Sequence, residues 1–286
     1  MTIKQTLHRA REVMAASDVE DSPLESELLL RHALGIDRTG LYQQFNGELS
    51  PEEEKDFWNL IERRLRGEPA AYITGHREFY GLDFHVDPGV LIPRPETELL
   101  VEKALELGRE REVSTVADIG TGSGAIAISL AVGLPRARIY ATDISPAALG
   151  VACYNCQHHG VAERVWLLQG DLLDPLPEPV DLIVANLPYV RAPDLAEVNT
   201  LNFEPTLALD GGSDGLDKIR RLCMQAGGKL TPRGALLLEI GCGQEGVVSD
   251  LLHALCPAAE IEVTPDLAGI DRVVSLRLGP DRKGGS

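Results

Sequence analysis

Val116-Ala-Asp-Ile-Gly-Thr-Gly-Ser-Gly124, followed directly by Ala125-Ile-Ala-Ile-Ser-Leu-Ala131, runs from an apolar strand through a tight glycine turn into an apolar helix. The glycines permit positive φ and let the backbone come close to a ligand, so the stretch reads as the first βα crossing of a nucleotide-binding sheet. The pattern repeats downstream. Arg138-Ile-Tyr-Ala-Thr-Asp143 is a second short strand ending in an acid, and Val165-Trp-Leu-Leu-Gln169 a third, ending in Gly170-Asp171. Asp181-Leu-Ile-Val-Ala185 is a fourth and runs into Asn186. Gly234–Gly241, Glu260–Thr264 and Arg272–Leu278 bring the total to seven strands, the last two an antiparallel pair joined by the turn-rich Pro265–Asp271. The fold class is α/β, with a mostly parallel sheet that binds its ligand at the carboxyl ends of the strands.

The spacing of the glycines narrows the ligand. A dinucleotide fingerprint is G-x-G-x-x-G, whereas Gly120-Thr121-Gly122-Ser123-Gly124 is G-x-G-x-G and follows Asp118. That spacing disfavours a nicotinamide dehydrogenase. It favours S-adenosylmethionine, whose methionyl ammonium a loop carboxylate and carbonyls can accept. Asp143 stands at about the separation at which such folds hydrogen-bond a ribose diol, and Asp171 would lie beside the adenine amine. Asp143 also reads as the cap of a helix opening at Ser145-Pro146.

Asn186-Leu187-Pro188-Tyr189 carries the substrate chemistry. A planar amide or base-amine nitrogen has a delocalised lone pair, so a catalyst must orient it toward an electrophile. The Asn186 carboxamide and the Leu187 carbonyl can accept its N–H bonds, and the Tyr189 ring can hold the flat group by stacking, with Pro188 between them. The competing structural reading of such a strand end is an Asx-type turn.

Composition sets the outer bounds. The chain has 286 residues, 25% charged and 44% hydrophobic, enough for a catalytic domain with a smaller appendage and unlike a disordered or fibrous protein. A formal net charge of −17 argues against a broad nucleic-acid surface, because duplex binding relies on many Lys and Arg contacts to phosphate. Five cysteines without a signal-peptide pattern point to a reducing, cytoplasmic setting, and the longest apolar run, Ala125 to Leu134, is too short to span a bilayer. Cys153-Tyr-Asn-Cys156-Gln-His158-His159 superficially suggests zinc, but no second pair follows at finger-like spacing, so no metal site is expected.

Before the sheet the chain reads differently. Ile3, Leu7, Ala10 and Met14 recur at helical spacing. Ser22-Pro-Leu-Glu25 and Ser50-Pro-Glu-Glu53 both read as a capping box with a first-turn proline, and the second opens an amphipathic helix that Gly67 and Pro69 stop. Tyr72–Ile92 is rich in Gly, aromatic and β-branched residues, with Phe79–Val86 suggesting a hairpin. Pro93-Arg94-Pro95 stiffens the chain before a helix near Glu96 and is either a lid beside the glycine turn or only a helix start. The loop from Arg191 to Asp217 is long enough to be functional, and Asp281–Ser286 is expected to fray.

These residues together resemble the bacterial release factor glutamine methyltransferase (PrmC/HemK) family. The resemblance spans nearly the whole chain: Tyr72-Ile-Thr-Gly75 with Glu78-Phe79, Val90-Leu-Ile-Pro-Arg-Pro-Glu-Thr-Glu98, the Asp118–Gly124 turn, Asp143, Asn186–Tyr189, the Glu204-Pro205 to Gly215-Leu216 loop, Leu238-Glu-Ile-Gly241 with Gln244, and Asp266-Leu-Ala-Gly-Ile-Asp-Arg272. It implies a helical substrate-recognition domain over 1–74, a β-hairpin linker over 75–92, and a Rossmann-like class I methyltransferase domain over 93–286. The implied reaction converts the glutamine of the Gly-Gly-Gln motif in peptide-chain release factors to N5-methylglutamine, with S-adenosylmethionine becoming S-adenosylhomocysteine. On that reading Gly120, Thr121, Gly122, Ser123, Gly124, Asp143, Asp171, Leu172 and Asn186 hold the cofactor, while Asn186, Leu187, Pro188 and Tyr189 position the glutamine. Two positions depart from the family. Leu187 replaces the usual proline of Asn-Pro-Pro-Tyr, keeping the carbonyl but losing the fixed φ. Leu172 stands where some relatives carry an aromatic residue and packs by dispersion. The rival reading is a DNA or RNA adenine-amine methyltransferase, which presents a related tetrapeptide to a flipped base; a cofactor-binding regulatory module would leave the tetrapeptide without a purpose.

Overall fold

The computed structural model describes residues 1–197 and 203–279, so the tail Asp281–Ser286 and part of the 191–217 loop lie outside the described residues. The chain divides into two compact units, Met1–His76 and Arg77–Ser286. The hairpin read as a separate linker therefore falls almost wholly in the larger unit.

The small unit is helical: α1 (Ile3–Ala15), α2 (Ser22–Leu34), α3 (Arg38–Gln43), α4 (Pro51–Leu65) and α5 (Ala70–Thr74). The apolar stripe Ile3, Leu7, Ala10 and Met14 is buried, and it meets Leu29, Leu30, Leu41, Phe57 and Ile61 in one core. At Ser50 the capping box forms as read: the Ser50 hydroxyl accepts the Glu53 amide at 3.2 Å and the Glu53 carboxylate accepts the Ser50 amide at 2.7 Å. The Ser22 box does not form. Asp21 occupies the cap without a side-chain bond, and Glu25 instead pairs with Arg64 of α4 at 2.5 Å, since a charged partner on a neighbouring helix competes with a local backbone amide.

In the larger unit β1 (His76–Phe79) and β2 (Leu82–His85) form a hairpin, and a 3₁₀ turn at Pro95–Thr97 leads into α6 (Glu98–Glu110). There follow β3 (Thr115–Ile119), α7 (Ala125–Gly133), β4 (Arg138–Asp143), α8 (Pro146–His158), β5 (Val165–Gln169), β6 (Val180–Ala185), α9 (Asp217–Ala226), β7 (Leu230–Glu239), α10 (Glu245–Leu255), β8 (Glu260–Pro265) and β9 (Asp271–Arg277). The seven strands β3–β9 lie in the order β5-β4-β3-β6-β7-β9-β8. Strands β3 to β7 run parallel, and β9 is antiparallel to both β7 and β8. β7 begins earlier than Gly234 because the register jumps from Val180↔Leu230 to Leu182↔Ala235, a bulge that takes Pro232 out of the ladder, where it has no N–H to give.

Both faces of this sheet are covered. Alternate residues point to opposite sides: Val116, Ile139, Leu182, Val184 and Leu237 pack with α6 and α7, whereas Ala117, Ile119, Ile183, Leu236 and Leu238 pack with α9 and α10. The central strands therefore read as continuous apolar runs. Cutting a buried leucine such as Leu237 to alanine would cost about 2–5 kcal/mol. The segment with two cysteines and two histidines fastens the hairpin to α8. Asn155 accepts the His85 amide at 2.9 Å and donates to the carbonyls of His85 and Ser123, while His159 packs its ring on Phe84. No helix among the described residues is long and apolar enough to cross a membrane.

The chain leaves β3 toward β4 on one side, and later returns to place β6 on the other. That reversal opens a crevice at the carboxyl ends of β3 and β6, where an α/β sheet accepts its ligand.

Candidate active site

Four strand ends converge on that crevice. Gly120 and Gly122 after β3, Asp143 at the end of β4, Asp171 and Leu172 after β5, and Asn186, Leu187 and Pro188 after β6 all line one cavity. Val90 and Leu91 contribute from the segment before α6, Pro205, Leu207 and Ala208 from the loop after β6, and Lys218 from α9.

Asp143 fixes the glycine turn. Its Oδ2 accepts the Gly122 amide and its Oδ1 the Ser145 amide, each at 2.9 Å. Each carboxylate oxygen has a second lone pair, so the group keeps capacity for a diol. Ser145 itself caps α8 by accepting the Ala148 amide at 3.2 Å, so helix capping falls to Ser145 and Asp143 faces the cavity. Leu172 holds a positive φ of 49°, unusual for a branched side chain, and the Thr142 hydroxyl donates to its carbonyl at 3.0 Å. Asp171 is paired with Arg221 of α9, so it meets the cavity as half of an ion pair and not as a lone carboxylate.

Several residues read as cofactor ligands are not in the cavity wall. The Thr121 hydroxyl donates to Asp118 at 2.6 Å, and Asp118 also accepts the Ala127 amide at 3.1 Å, capping α7 from beneath. Asp118 is fully buried, and burial pushes its pKa up to about 7, against the hydrogen bonds from Thr121 and Ala127. Ser123 is buried and gives its carbonyl to Asn155. Gly124, at φ +83°, allows α8 to come close: a Cβ there would lie 3.1 Å from Ile128 and 3.3 Å from Ala152. These residues shape the turn that presents Gly120 and Gly122.

Around the tetrapeptide the structure adds groups that stand in the motifs of the resemblance without an assigned role. The Asn186 side-chain amide donates to the Thr97 hydroxyl at 3.0 Å. Behind them lies Glu239, at the end of β7 and 1% exposed, whose Oε2 has no hydrogen-bond partner. Burial raises its pKa to about 7, opposed by hydrogen bonding from Thr97 and Asn186 and by the Arg272 charge. Leu187 is buried in the core, and its side chain covers Gly120, where a Cβ would come within 3.2 Å. Tyr189 is half-buried beside the cavity; burial first, then the Glu239 charge, push its phenol up to about 12 and keep it protonated.

The tetrapeptide backbone is itself braced. Gly211 donates to the Val190 carbonyl at 2.9 Å, and Gln244 accepts the Gly241 amide at 2.8 Å while donating to the Tyr189 carbonyl at 3.3 Å. Gly215, at φ +80°, lies so close to the Tyr189 carbonyl that a Cβ would fall 2.3 Å away. The Pro93-Arg94-Pro95 stretch is tied to the loop after β6, because Arg94 donates to Glu204 at 2.6 Å and Glu204 also accepts the Ile92 amide at 3.2 Å. Of these, Glu239 left the plainest trace in the sequence: an acid inside Leu236-Leu-Leu-Glu239-Ile240, an otherwise apolar strand. Thr97 left none beyond its place in the Val90–Glu98 motif.

Comparison with known proteins places the chain. Residues 5–75 match the PrmC N-terminal domain and residues 93–202 the methyltransferase small domain. A release factor glutamine methyltransferase of Moorella thermoacetica is 50% identical over 274 residues, covering 95% of this chain and 97% of that one. Another, of Geobacter sulfurreducens, is 44% identical and covers 97% of each. Among solved structures, a ribosomal protein L11 methylase of Lactobacillus delbrueckii subsp. bulgaricus shares the fold, with a TM-score of 0.51 at 23% identity over 68% of this chain and 84% of its own.

Proposed function

The chain belongs to the release factor glutamine methyltransferases, and we propose that it transfers a methyl group from S-adenosylmethionine to the side-chain amide nitrogen of the Gly-Gly-Gln glutamine in a peptide-chain release factor. The observation that carries this reading is the meeting of Asp143 and Asn186 in one cavity, an acceptor for a diol beside a carboxamide for a planar nitrogen. The donor set fits the cofactor. Gly120 and Gly122 present backbone, Asp143 offers spare lone pairs to a ribose, and Leu172, Leu187 and Leu207 give an apolar wall for adenine. When bound, the cofactor supplies an electrophilic methyl on sulfur and a neutral thioether leaving group.

The protein's own contribution is alignment. Asn186 gives its amide N–H to Thr97, which turns its carbonyl oxygen away from that hydroxyl and toward an incoming N–H. With the Leu187 carbonyl as second acceptor, both glutamine N–H bonds are held, and the nitrogen lone pair faces the methyl. The Tyr189 ring, braced through its own carbonyl by Gln244, backs the flat amide. The proton that the glutamine nitrogen gives up on methylation would pass to water. Positioning and fixed hydrogen bonds supply the acceleration, so no general base is assigned. The helical unit Met1–His76 is the proposed recognition domain for the release factor, and the hairpin and sheet form the transfer domain.

Labelled S-adenosylmethionine mixed with the protein and an intact release factor tests this, alongside the same factor with its Gly-Gly-Gln glutamine replaced and a duplex DNA. Label on the intact factor alone supports the reading. Label on DNA, or on the altered factor equally, overturns it.

A further inference from the structure

Glu239 and Thr97 sit behind the tetrapeptide and outside the cavity wall, and the Thr97 side chain makes no capping bond to α6, which it precedes. A carboxylate inside an apolar strand is costly unless something requires it. Glu239 is 1% exposed, has one oxygen without a hydrogen-bond partner, and lies against Thr97 and Asn186. The chemistry of the three groups fixes the direction of every proton between them. An ionised carboxylate only accepts, so the Thr97 hydroxyl and the Asn186 amide must both donate to it. A hydroxyl has one proton, so toward Asn186 the Thr97 oxygen can only accept, as the 3.0 Å bond from the Asn186 amide shows. The carboxamide is then locked with its N–H₂ end inward and its carbonyl outward.

Resting on the methyltransferase reading above, we infer that Glu239, acting on the Asn186 amide both directly and through Thr97, is a positioning residue that sets which end of the Asn186 carboxamide faces the substrate nitrogen. Protonating Glu239 undoes the lock. The acid can then donate to Thr97, the hydroxyl is free to donate to Asn186, and the carboxamide can turn its N–H₂ end to a substrate nitrogen that itself offers only N–H.

The groups facing Glu239 are Arg272 on β9, Glu96 on the turn before α6, and the Tyr189 phenol. Arg272 favours the ionised form and Glu96 opposes it, while Tyr189 titrates far above the working range. Burial outweighs them and leaves the carboxyl titrating at about 7, so its two forms exchange across the physiological range.

The test is the pH dependence of turnover on a release factor, from about pH 5.5 to about pH 9, for the wild type, Glu239→Gln, Thr97→Val and Thr97→Ser. The wild type should rise through one ionisation near neutrality to a plateau. Glu239→Gln, which cannot titrate, should lose that rise and run roughly ten- to hundredfold below the wild-type plateau in kcat. Its affinity for S-adenosylhomocysteine should change less than about twofold, because Asp143 and the glycine turn are untouched. Thr97→Val should fall similarly, and Thr97→Ser, which keeps the hydroxyl, should restore both rate and rise.

A rise that survives in Glu239→Gln would overturn the inference, since Asp118, the other buried carboxyl near 7, is intact in that variant. Full kcat in Thr97→Val would overturn it equally, and stands as the deciding result if Glu239→Gln does not fold. Absence of wild-type turnover on any release factor is a different failure, which sinks the methyltransferase substrate and this inference with it.

Discussion

Arg94 and Glu204 meet at 2.6 Å although 110 residues of chain separate them, and the Glu204 carboxylate is wholly buried while the guanidinium is about one-third exposed. The pair ties the stretch before α6 to the loop that begins after the tetrapeptide. Both segments line the cavity, through Val90 and Leu91 on one side and Pro205, Leu207 and Ala208 on the other. The proline-flanked arginine thus ties together two segments that line the cavity, and it also leads into a helix.

Breaking that tie should loosen those segments. Glu204→Ala strips the Ile92 amide and the Arg94 guanidinium of their acceptor. Because Arg94 reaches solvent, the loss of stability should be about 2 kcal/mol, below the range for a fully buried pair. Calorimetric titration should show affinity for S-adenosylhomocysteine falling about tenfold. An unchanged affinity would remove the loop from the cofactor site.

Asp143 should matter to the cofactor alone. Asp143→Asn keeps one acceptor where two backbone amides and a diol compete, so S-adenosylhomocysteine binding should weaken by about 2 kcal/mol, some thirtyfold. At saturating cofactor, kcat should stay within about threefold of wild type, as expected for a group that binds ground and transition states alike. A collapse of kcat with affinity intact would show that the residue serves the substrate instead.

Two glycines should separate stability from rate. At Gly124 an added methyl meets Ile128 and Ala152 within 3.3 Å and a backbone at φ +83°, so Gly124→Ala should lower stability by about 1–3 kcal/mol in urea unfolding. At Gly215 the methyl would strike the Tyr189 carbonyl at 2.3 Å, so Gly215→Ala should displace the tetrapeptide and cut kcat about a hundredfold. Turnover unaffected by Gly215→Ala would mean that the tetrapeptide backbone needs no bracing.

The buried carboxyls give stability a pH dependence of definite sign. Asp118 and Glu239 both titrate at about 7, above their ordinary values of 3.8 and 4.5, so between those limits the folded chain holds protons that the unfolded chain has released. Their contribution to stability is therefore greatest at acid pH and declines as pH rises toward about 7, by an amount on the order of a few kcal/mol. Glu239→Gln should flatten part of that slope and be relatively more stable than wild type at about pH 8. A slope identical to wild type would mean that Glu239 ionises at its ordinary value.

Much of this site was legible in the sequence because its parts stand where strands end. Gly120, Asp143, Asp171 and Asn186 each follow an apolar run, and the rule that α/β sheets bind at the carboxyl edge gathers them before any coordinates exist. What was not legible is which of two neighbours faces the cavity and which faces the core. Thr121, Ser123 and Gly124 belong to the same motif as Gly120 and Gly122, yet Thr121 turns inward to the Asp118 that caps α7, Ser123 holds Asn155 and Gly124 admits α8. The partners of Thr97 and Glu204 could not be read from the motifs that contain them, because they lie 89 and 110 residues away and such pairings arise only from the packed fold. The capping box read at Ser22 does not form for a related reason: Glu25 meets Arg64 of another helix.

The central claim is that Asn186 orients a glutamine side-chain amide for methylation. The most direct measurement is fragment-ion mass spectrometry on a release factor incubated with S-adenosylmethionine and either the wild-type protein or Asn186→Ala. The account predicts one added methyl on the side chain of the Gly-Gly-Gln glutamine with the wild type, and a rate about a hundredfold lower with the variant. A methyl located on any other residue, or undiminished methylation by Asn186→Ala, would contradict it.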